Sequence, residues 1–325
     1  MNELDLNNVN CNERGNTVAL LSIVLPAYNE EKMIAKAAQV LTELMVQEGI
    51  NAELIFINDG SKDQTWREIE KASTLYQNVN GICFSRNFGK EAAILAGLEH
   101  AKGDCCIVMD CDLQHPPETI IEMYTLWQKG FEIVEGVKVS RGKESKVHGL
   151  FSKSFYKLIN KATGFDMSKS SDFKLLDRKV IEAYLRLPER KLFFRALSFW
   201  LGFKSIEVEF EVQDRTEGET KWSFVSLIKY AVNNITSFST APMQIITVIG
   251  FFFLIFAIVL GIQSVINYIS GESLEGFTTV ILLLLGIGSL LMISMGIIGF
   301  YISKIYEEVK RRPRYIVSIT TNKDE

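Results

Sequence analysis

Apolar and polar positions along this chain follow two regimes in turn. In the first third, short apolar runs end in clusters of polar, turn-forming residues and are separated by stretches of helical period. Residues 19–25 read as a strand delivering Pro26-Ala27-Tyr28-Asn29-Glu30-Glu31, followed by a helix to residue 47. Residues 53–57 make a second strand ending in Asn58-Asp59-Gly60-Ser61-Lys62-Asp63, with a helix over 64–75. Residues 79–84 make a third, after which Arg86-Asn87-Phe88-Gly89-Lys90 opens an Ala-rich helix to residue 101. The fourth, residues 105–109, stops on Asp110-Cys111-Asp112-Leu113-Gln114-His115-Pro116-Pro117. Strands alternating with helices imply an α/β fold with a mostly parallel sheet and right-handed crossovers. The polar strand ends then gather on one edge, where open α/β sheets bind ligands.

Beyond Pro117 the pattern is less regular. Residues 131–137 look like a strand, and the basic, aromatic-bearing stretch 141–161 leads into a helix around 151–159. A short strand at 173–176, a helix over 178–187 and an alternating strand at 205–212 follow. Residues 221–238 carry aromatics, Leu, Ile and Lys at helical spacing, which suits a helix lying on a membrane surface, apolar side down. The second regime begins there. No charged side chain occurs from Tyr230 to Gly271, nor from Gly276 to Ser303. The cores, 243–269 and 277–302, each exceed the roughly 20 residues that cross a bilayer, and they are apolar on every face, which a helix in a soluble bundle would not need. The expected organisation is a flexible N-terminus (1–17), an α/β domain (18–220), a juxtamembrane amphipathic helix (221–242), a transmembrane hairpin (243–303) and a basic tail (304–325).

Charge orients this plan. Lys221 and Lys229 precede the hairpin and Lys304, Lys310, Arg311, Arg312 and Arg314 follow it, whereas the link carries Glu272 and Glu275. Positive flanks mark the cytoplasmic side, so a multi-pass cell-membrane protein with both termini and its α/β domain in the cytoplasm is expected. The net charge of −4, with no basic stripe outside the membrane flanks, excludes a nucleic-acid binder. Five cysteines without metal-type pairing fit a reducing compartment. The polar N-terminus shows no secretion signal. Gly286, Gly288, Gly296 and Gly299 would let helices approach closely, which points to a homo-oligomer.

The strand ends carry the candidate chemistry. In an extended segment alternate residues face one side, so Asp110, Asp112 and Gln114 would present three oxygens, a donor set for Mg²⁺ or Mn²⁺. Pro26-Ala27-Tyr28-Asn29-Glu30 can hold a nucleobase and ribose, with Tyr28 as a flat face and Glu30 accepting ribose hydroxyls; Tyr28 could equally be packing. Asp59 is placed to accept the imide N–H of uracil or to cap its own turn. Lys90, at a helix start, could join backbone N–H groups in holding phosphate. His100, His115 and His148 offer no metal triad.

With these motifs in order, the chain resembles the family 2 glycosyltransferases of the Rossmann-like GT-A fold. Ser171-Asp172-Phe173-Lys174, Gln213-Asp214-Arg215 through Thr220-Lys221-Trp222, and the hairpin followed by Tyr306-Glu307-Glu308-Val309-Lys310-Arg311-Arg312-Pro313 are similar to the polyprenyl-phosphate branch. That branch includes the bactoprenol glucosyltransferases and is related to dolichol-phosphate mannose synthases. The resemblance covers residues 20–316. One departure is Asn58-Asp59, where the family usually has two aspartates.

The resemblance implies inverting, metal-dependent transfer of a sugar from a nucleotide donor to a polyprenyl phosphate, in cell-envelope glycan modification. Glucose from UDP-glucose is the expected sugar, with UDP-GlcNAc or GDP-mannose as alternatives. Pro26, Ala27, Tyr28, Glu30, Asp59, Lys90 and Asp110 would bind the donor; Asp110, Asp112 and Gln114 the metal; Ser152, Arg215 and Lys221 the acceptor phosphate. Asp110 and Asp112 are the catalytic pair, and Asp172 could meet sugar hydroxyls. A phosphate monoester, with a second pKa of about 6, is already an anion at neutral pH, so no catalytic base is assigned. A processive polysaccharide synthase would carry Gln-x-x-Arg-Trp, and the chain has no Arg-Trp pair. A non-catalytic membrane adaptor, partner of a lipid-sugar flippase, is disfavoured by the intact Asp110, Asp112, Arg215 and Lys221.

Overall fold

An unbroken apolar run suits a strand covered on both faces. Leu20–Ala27 is such a run, and as β1 it is buried along most of its length in the middle of the sheet. The computed structural model describes residues 19–138, 171–189, 194–195, 200–211, 241–270 and 276–321. After β1 come α1 (Ile34–Gln47), β2 (Asn51–Asn58), α2 (Thr65–Leu75), β3 (Val79–Phe84), α3 (Lys90–His100), β4 (Cys105–Val108) and α4 (Glu118–Gln128). Then follow β5 (Ile133–Lys138), β6 (Lys174–Asp177), α5 (Arg178–Leu185) and β7 (Ser205–Phe210). Two long helices, α6 (Ala241–Ile269) and α7 (Phe277–Val309), precede a last strand, β8 (Val317–Thr320). The helices expected at 151–159 and 221–238 lie outside the described residues.

The strands form one 8-stranded sheet in the order β7-β5-β6-β4-β1-β2-β3-β8. The block β4-β1-β2-β3 is parallel, as is the pair β5/β7. β6 runs antiparallel to β4 and β5, and β8 antiparallel to β3. The sheet is therefore mixed but mostly parallel, with four parallel pairs to three antiparallel ones among the described residues, and α1, α2 and α3 supply the crossovers of the parallel block. The chain builds outward from β1 to β3 and then returns to place β4 on the other flank of β1. That reversal opens a crevice beyond the ends of β1 and β4, the usual ligand position in such sheets.

Helix faces match the sheet they cover. α1 buries Ile34, Ala37, Ala38, Leu41 and Met45, a stripe of helical period. In α3, Gly97 lies against Val24 so closely that a Cβ would stand 2.2 Å from its Cγ1, which seats the helix carrying Lys90 directly on the central strand. α4 was not foreseen as an element; its Trp127 donates through Nε1 to Asp177 Oδ2 at 2.8 Å, while Asp177 Oδ1 caps α5 by accepting the Lys179 N–H.

The sheet with its covering helices and the segment after Arg311 forms one compact unit, and α6 and α7 belong to another. Val248–Asn267 and Gly286–Val309 are long and apolar enough to cross a membrane, and neither is buried by the chain itself. α7 continues past the expected end at 302 to Val309, because Lys304, Glu307 and Glu308 end the apolar pattern without ending the helix, being good helix formers. A Cβ at Gly286, Gly288, Gly296 or Gly299 would meet no described atom within 4 Å outside the helix's own backbone.

β8 corrects the reading of residues 304–325 as a tail. Val317–Thr320 pairs with the outer edge of β3, and Gly81 and Thr321 exchange hydrogen bonds through Gly81 N–H to Thr321 Oγ1 (2.8 Å) and Thr321 N–H to the Gly81 carbonyl (3.0 Å). Arg314 donates to the carbonyls of Leu187 and Glu189, and Tyr315 stacks on Phe84 at 4.9 Å and hydrogen-bonds Glu99.

Candidate active site

Three loops beyond the parallel strands are stitched into one wall. Asn29 adopts the left-handed conformation (φ 56°), which Asn tolerates better than most residues. Its N–H donates to Ser61 Oγ at 2.9 Å, and its Oδ1 accepts the Lys62 N–H at 2.9 Å. Glu30 N–H donates to Thr65 Oγ1 at 2.9 Å. The loop after β2 in turn touches the loop after β3. Gly60 has φ 63°, and a Cβ there would lie 2.3 Å from the carbonyl carbon of Arg86, so only glycine allows this backbone approach.

Asp59 completes that junction. Its Oδ1 accepts the Phe88 N–H at 2.6 Å and its Oδ2 the Gly89 N–H at 2.9 Å. Burial raises its pKa, against the lowering effect of these two donors. Asp59 lines the cleft, yet both oxygens already hold the loop that presents Lys90. Asn58 is buried, with Oδ1 accepting the Ser61 N–H and Nδ2 donating to Cys83 Sγ at 3.1 Å. An aspartate at this position would have no donor to offer Cys83.

The resulting cleft, of ≈ 300 Å³, is lined by Pro26, Ala27, Tyr28, Glu30, Asp59, Lys90, Asp110 and Asp112, together with Asn87, Gly89, Ala93 and Cys111. Tyr28 is 42% exposed, so it is a free surface beside the cleft and not a packing residue. Gln114 is absent from the lining. β4 ends at Val108, Cys111 and Asp112 form a turn, and Leu113 is left-handed (φ 56°). The alternation expected of an extended segment therefore fails after Val108, and Gln114 instead donates its backbone N–H to Asp112 Oδ1 at 3.1 Å.

An ion-paired chain leads away from the cleft lining through Lys90. Lys90 Nζ lies 2.6 Å from Asp110 Oδ1 and 2.8 Å from Asp172 Oδ2. Arg195 grips Asp172 with two bonds, Nε to Oδ1 at 2.7 Å and Nη2 to Oδ2 at 2.9 Å, the fork geometry that suits a carboxylate. Burial would raise the pKa of Asp172, but Arg195 and Lys90 hold it well below the usual carboxylate range. Burial likewise opposes the charge of Lys90, while Asp110 and then Asp172 raise its pKa above the ordinary lysine value. Lys90 is the first residue of α3, where the helix dipole disfavours a cation; the two carboxylates offset that.

Arg195 was not foreseen. Neither were the residues that fix it: buried Lys174 donates Nζ to the Arg195 carbonyl at 3.1 Å and pairs with Glu135 at 2.9 Å. Glu91 accepts the Phe194 N–H at 3.0 Å, and burial pushes its carboxyl up to about 7. The available signals were Lys174 and Glu135 themselves, charged residues in short strands next to apolar ones. His115 stacks on Phe173 at 4.6 Å, and burial lowers its pKa.

Among the described residues no three His, Cys, Asp or Glu side chains converge as a metal cage. Asp110 and Asp112 nonetheless suit a hard divalent cation. Both are carboxylates on the cleft wall, and Cys111 between them is buried with its thiol pKa raised by that burial, which leaves it no thiolate to offer. Mg²⁺ commonly binds through one or two carboxylates, with substrate phosphates and water completing the shell. Ser152, Arg215 and Lys221, the expected acceptor-phosphate residues, lie outside the described residues.

A cleft at the switch point of an α/β sheet, with an aspartate pair in its lining, is the arrangement of a GT-A glycosyltransferase. The sequence pattern of glycosyl transferase family 2 matches residues 22–185. An uncharacterized glycosyltransferase of Synechocystis is 37% identical over 300 residues, covering 92% of this chain and 94% of that protein. The prophage bactoprenol glucosyl transferase homolog of Escherichia coli is 36% identical over 299 residues, covering 91% and 98%. Among solved structures, glucosyl-3-phosphoglycerate synthase from Mycobacterium tuberculosis superposes with a TM-score of 0.52 at 18% identity, over 68% of this chain and 80% of that one. The same enzyme in complex with Mn²⁺, UDP and glucosyl-3-phosphoglycerate gives 0.51. The chain belongs to glycosyl transferase family 2 and is a glycosyltransferase.

Proposed function

We propose that this protein transfers glucose from UDP-glucose to a polyprenyl phosphate, with inversion, at the cytoplasmic face of a cell membrane, for modification of an envelope glycan. The observation that carries the reading is the single cleft in which Tyr28 and Glu30 stand beside Lys90, Asp110 and Asp112. The Escherichia coli relative, which bears the bactoprenol glucosyl transferase name, supports the sugar and the lipid. The Mycobacterium tuberculosis enzyme, solved with UDP and Mn²⁺, supports the donor and the ion by analogy of fold.

Tyr28 offers its ring to the uracil and Glu30 accepts ribose hydroxyls. Asp59 holds the loop that brings Lys90 to the diphosphate. Asp110 and Asp112 hold Mg²⁺ or Mn²⁺, which when bound supplies charge neutralisation for the departing UDP. Ser152, Arg215 and Lys221 hold the acceptor phosphate, whose oxygen attacks the anomeric carbon as the UDP oxygen leaves. That oxygen is already anionic at neutral pH, so no side chain needs to take a proton. Asp172, bound by Arg195 and Lys90, is better suited to positioning than to meeting sugar hydroxyls.

The test uses membranes holding the protein, labelled UDP-glucose, UDP-GlcNAc and GDP-mannose, and extraction into organic solvent. Label from UDP-glucose alone, dependent on divalent metal, is the expected result; label from another donor would reassign the sugar. Asp112→Asn should reduce transfer by about 100-fold or more, the scale of losing one transition-state electrostatic group. Unchanged transfer by Asp112→Asn would sink the mechanism.

A further inference from the structure

Lys90 and the metal make claims on the same carboxylate. Lys90 Nζ stands 2.6 Å from Asp110 Oδ1, and Asp110 is the residue that the proposed function gives to a divalent cation. A divalent cation held there would bind directly to the carboxylate oxygens of Asp110. An ammonium on the same carboxylate then repels it at short range, although both side chains are more than a third exposed and water weakens the effect.

The second contact of Lys90 gives it somewhere to remain. Asp172 Oδ2 lies 2.8 Å from Nζ, but Asp172 is already neutralised by the two-bond grip of Arg195. Arg195 is itself fixed through its carbonyl by buried Lys174. A Lys90 released from Asp110 would thus stay in place at the cleft wall with most of its charge uncompensated. Lys90 lines the cleft beside Asp110 and Asp112, so the nearest anion to receive that charge is a diphosphate oxygen of the donor.

We propose that Lys90 is an internal counter-ion of Asp110 that competes with the divalent metal and is handed to the donor diphosphate when the metal takes Asp110. This rests on the reading of Asp110 as a metal ligand. Its consequence is an order of assembly: metal weakens the Lys90–Asp110 pair and thereby creates a phosphate-binding cation, so metal and nucleotide bind cooperatively. The same residue opposes metal binding when nucleotide is absent and favours nucleotide binding when metal is present.

These opposite signs make the test. Mn²⁺ is titrated into the detergent-solubilised full chain without nucleotide or lipid, with free ion read by electron paramagnetic resonance. Lys90→Met should bind Mn²⁺ about three- to tenfold more tightly than the unsubstituted chain, the range for removing a partly exposed ion pair. Lys90→Arg, which keeps a cation there, should remain close to the unsubstituted value. At saturating Mn²⁺, UDP binding measured by calorimetry should weaken about tenfold in Lys90→Met. Lys62→Met, which removes a cation outside the cleft, should change neither affinity by more than about twofold.

Lys90→Gln serves as the neutral variant should Lys90→Met not fold, as judged by its thermal melt. Equal or weaker Mn²⁺ binding in a folded neutral variant, with binding still lost in Asp110→Asn, would overturn the competition and leave the metal reading standing. Mn²⁺ binding that survives Asp110→Asn would overturn both. Neither readout involves sugar transfer, so a different donor sugar or acceptor lipid would leave this proposal intact.

Discussion

At the scale of single residues, the site is a set of compromises among burial, charge and backbone. Glu91 is the clearest. Its carboxyl is buried beneath the Phe194 N–H and its pKa is raised to about 7 by that burial, whereas an unfolded glutamate titrates at about 4.3. Between these values the folded state holds a proton that the unfolded chain has released, so stability falls as pH rises through that window. Glu91→Gln keeps an oxygen to accept from Phe194 and removes the titration. It should therefore melt higher than the unsubstituted chain at pH 8, by up to about 3 kcal/mol, and the advantage should disappear near pH 4.5. Melts at the two pH values check this; an advantage that persists at low pH would refute the assignment. Glu91 was illegible in the sequence because an acid in the first turn of a helix has an ordinary explanation in the helix dipole. Its burial depends on Phe194, 103 positions away. Tyr28, Glu30, Asp59, Lys90, Asp110 and Asp112 were legible because each sits where an apolar run stops, and the topology of a parallel sheet collects such stops. Gln114 lies off the cleft lining for a local reason: β4 ends at Val108, and the chain turns at Cys111 and Asp112 before reaching it.

At the scale of elements, the parallel half of the sheet could be read from alternating runs, while β8 could not. Four residues following Arg311-Arg312-Pro313-Arg314 look like a charged tail. What makes them a strand is the open edge of β3, more than two hundred residues earlier. Unpaired strand edges are unstable features that proteins cover, and here the cover also supports the loop that presents Lys90. Ser85 N–H donates to the Ile316 carbonyl at 3.0 Å, Tyr315 stacks on Phe84, and Phe84 meets Phe88 edge-on at 5.8 Å. A chain ended after Arg311 should lose about 3 kcal/mol from the α/β domain, on the order of 10 °C in melting temperature. Tyr315→Ala should lose a smaller part and weaken UDP binding, because it loosens the loop that Asp59 holds. A truncated chain with an unchanged melt would show that β8 is a passive attachment. The element-scale lesson is that a strand donated from far along the chain leaves no local period to detect; only its partner's open edge asks for it.

At the scale of the whole molecule, β8 bears on topology independently of charge. β7 lies before the two apolar helices and β8 after them, and both are strands of one sheet. A sheet is folded on one side of a membrane, so the chain that leaves it must cross an even number of times before rejoining it. α6 and α7 are long and apolar enough for two crossings, and no irregular backbone is tolerated against lipid between them. The spanning hairpin of the proposed function needs two such crossings, and these two helices are of a length and composition to supply them. The Lys and Arg flanks of the hairpin support the proposed cytoplasmic placement of that domain. In intact cells a membrane-impermeant maleimide should label Ser273→Cys, in the link, and leave Lys129→Cys, on an exposed turn of the domain, unlabelled until the cells are opened. The unsubstituted chain provides the background for its native cysteines. Labelling of Lys129→Cys in intact cells would reverse the orientation. Labelling of both or neither would mean that the apolar helices do not form a spanning hairpin, and would remove the geometric basis for a lipid acceptor meeting a soluble nucleotide sugar at this cleft.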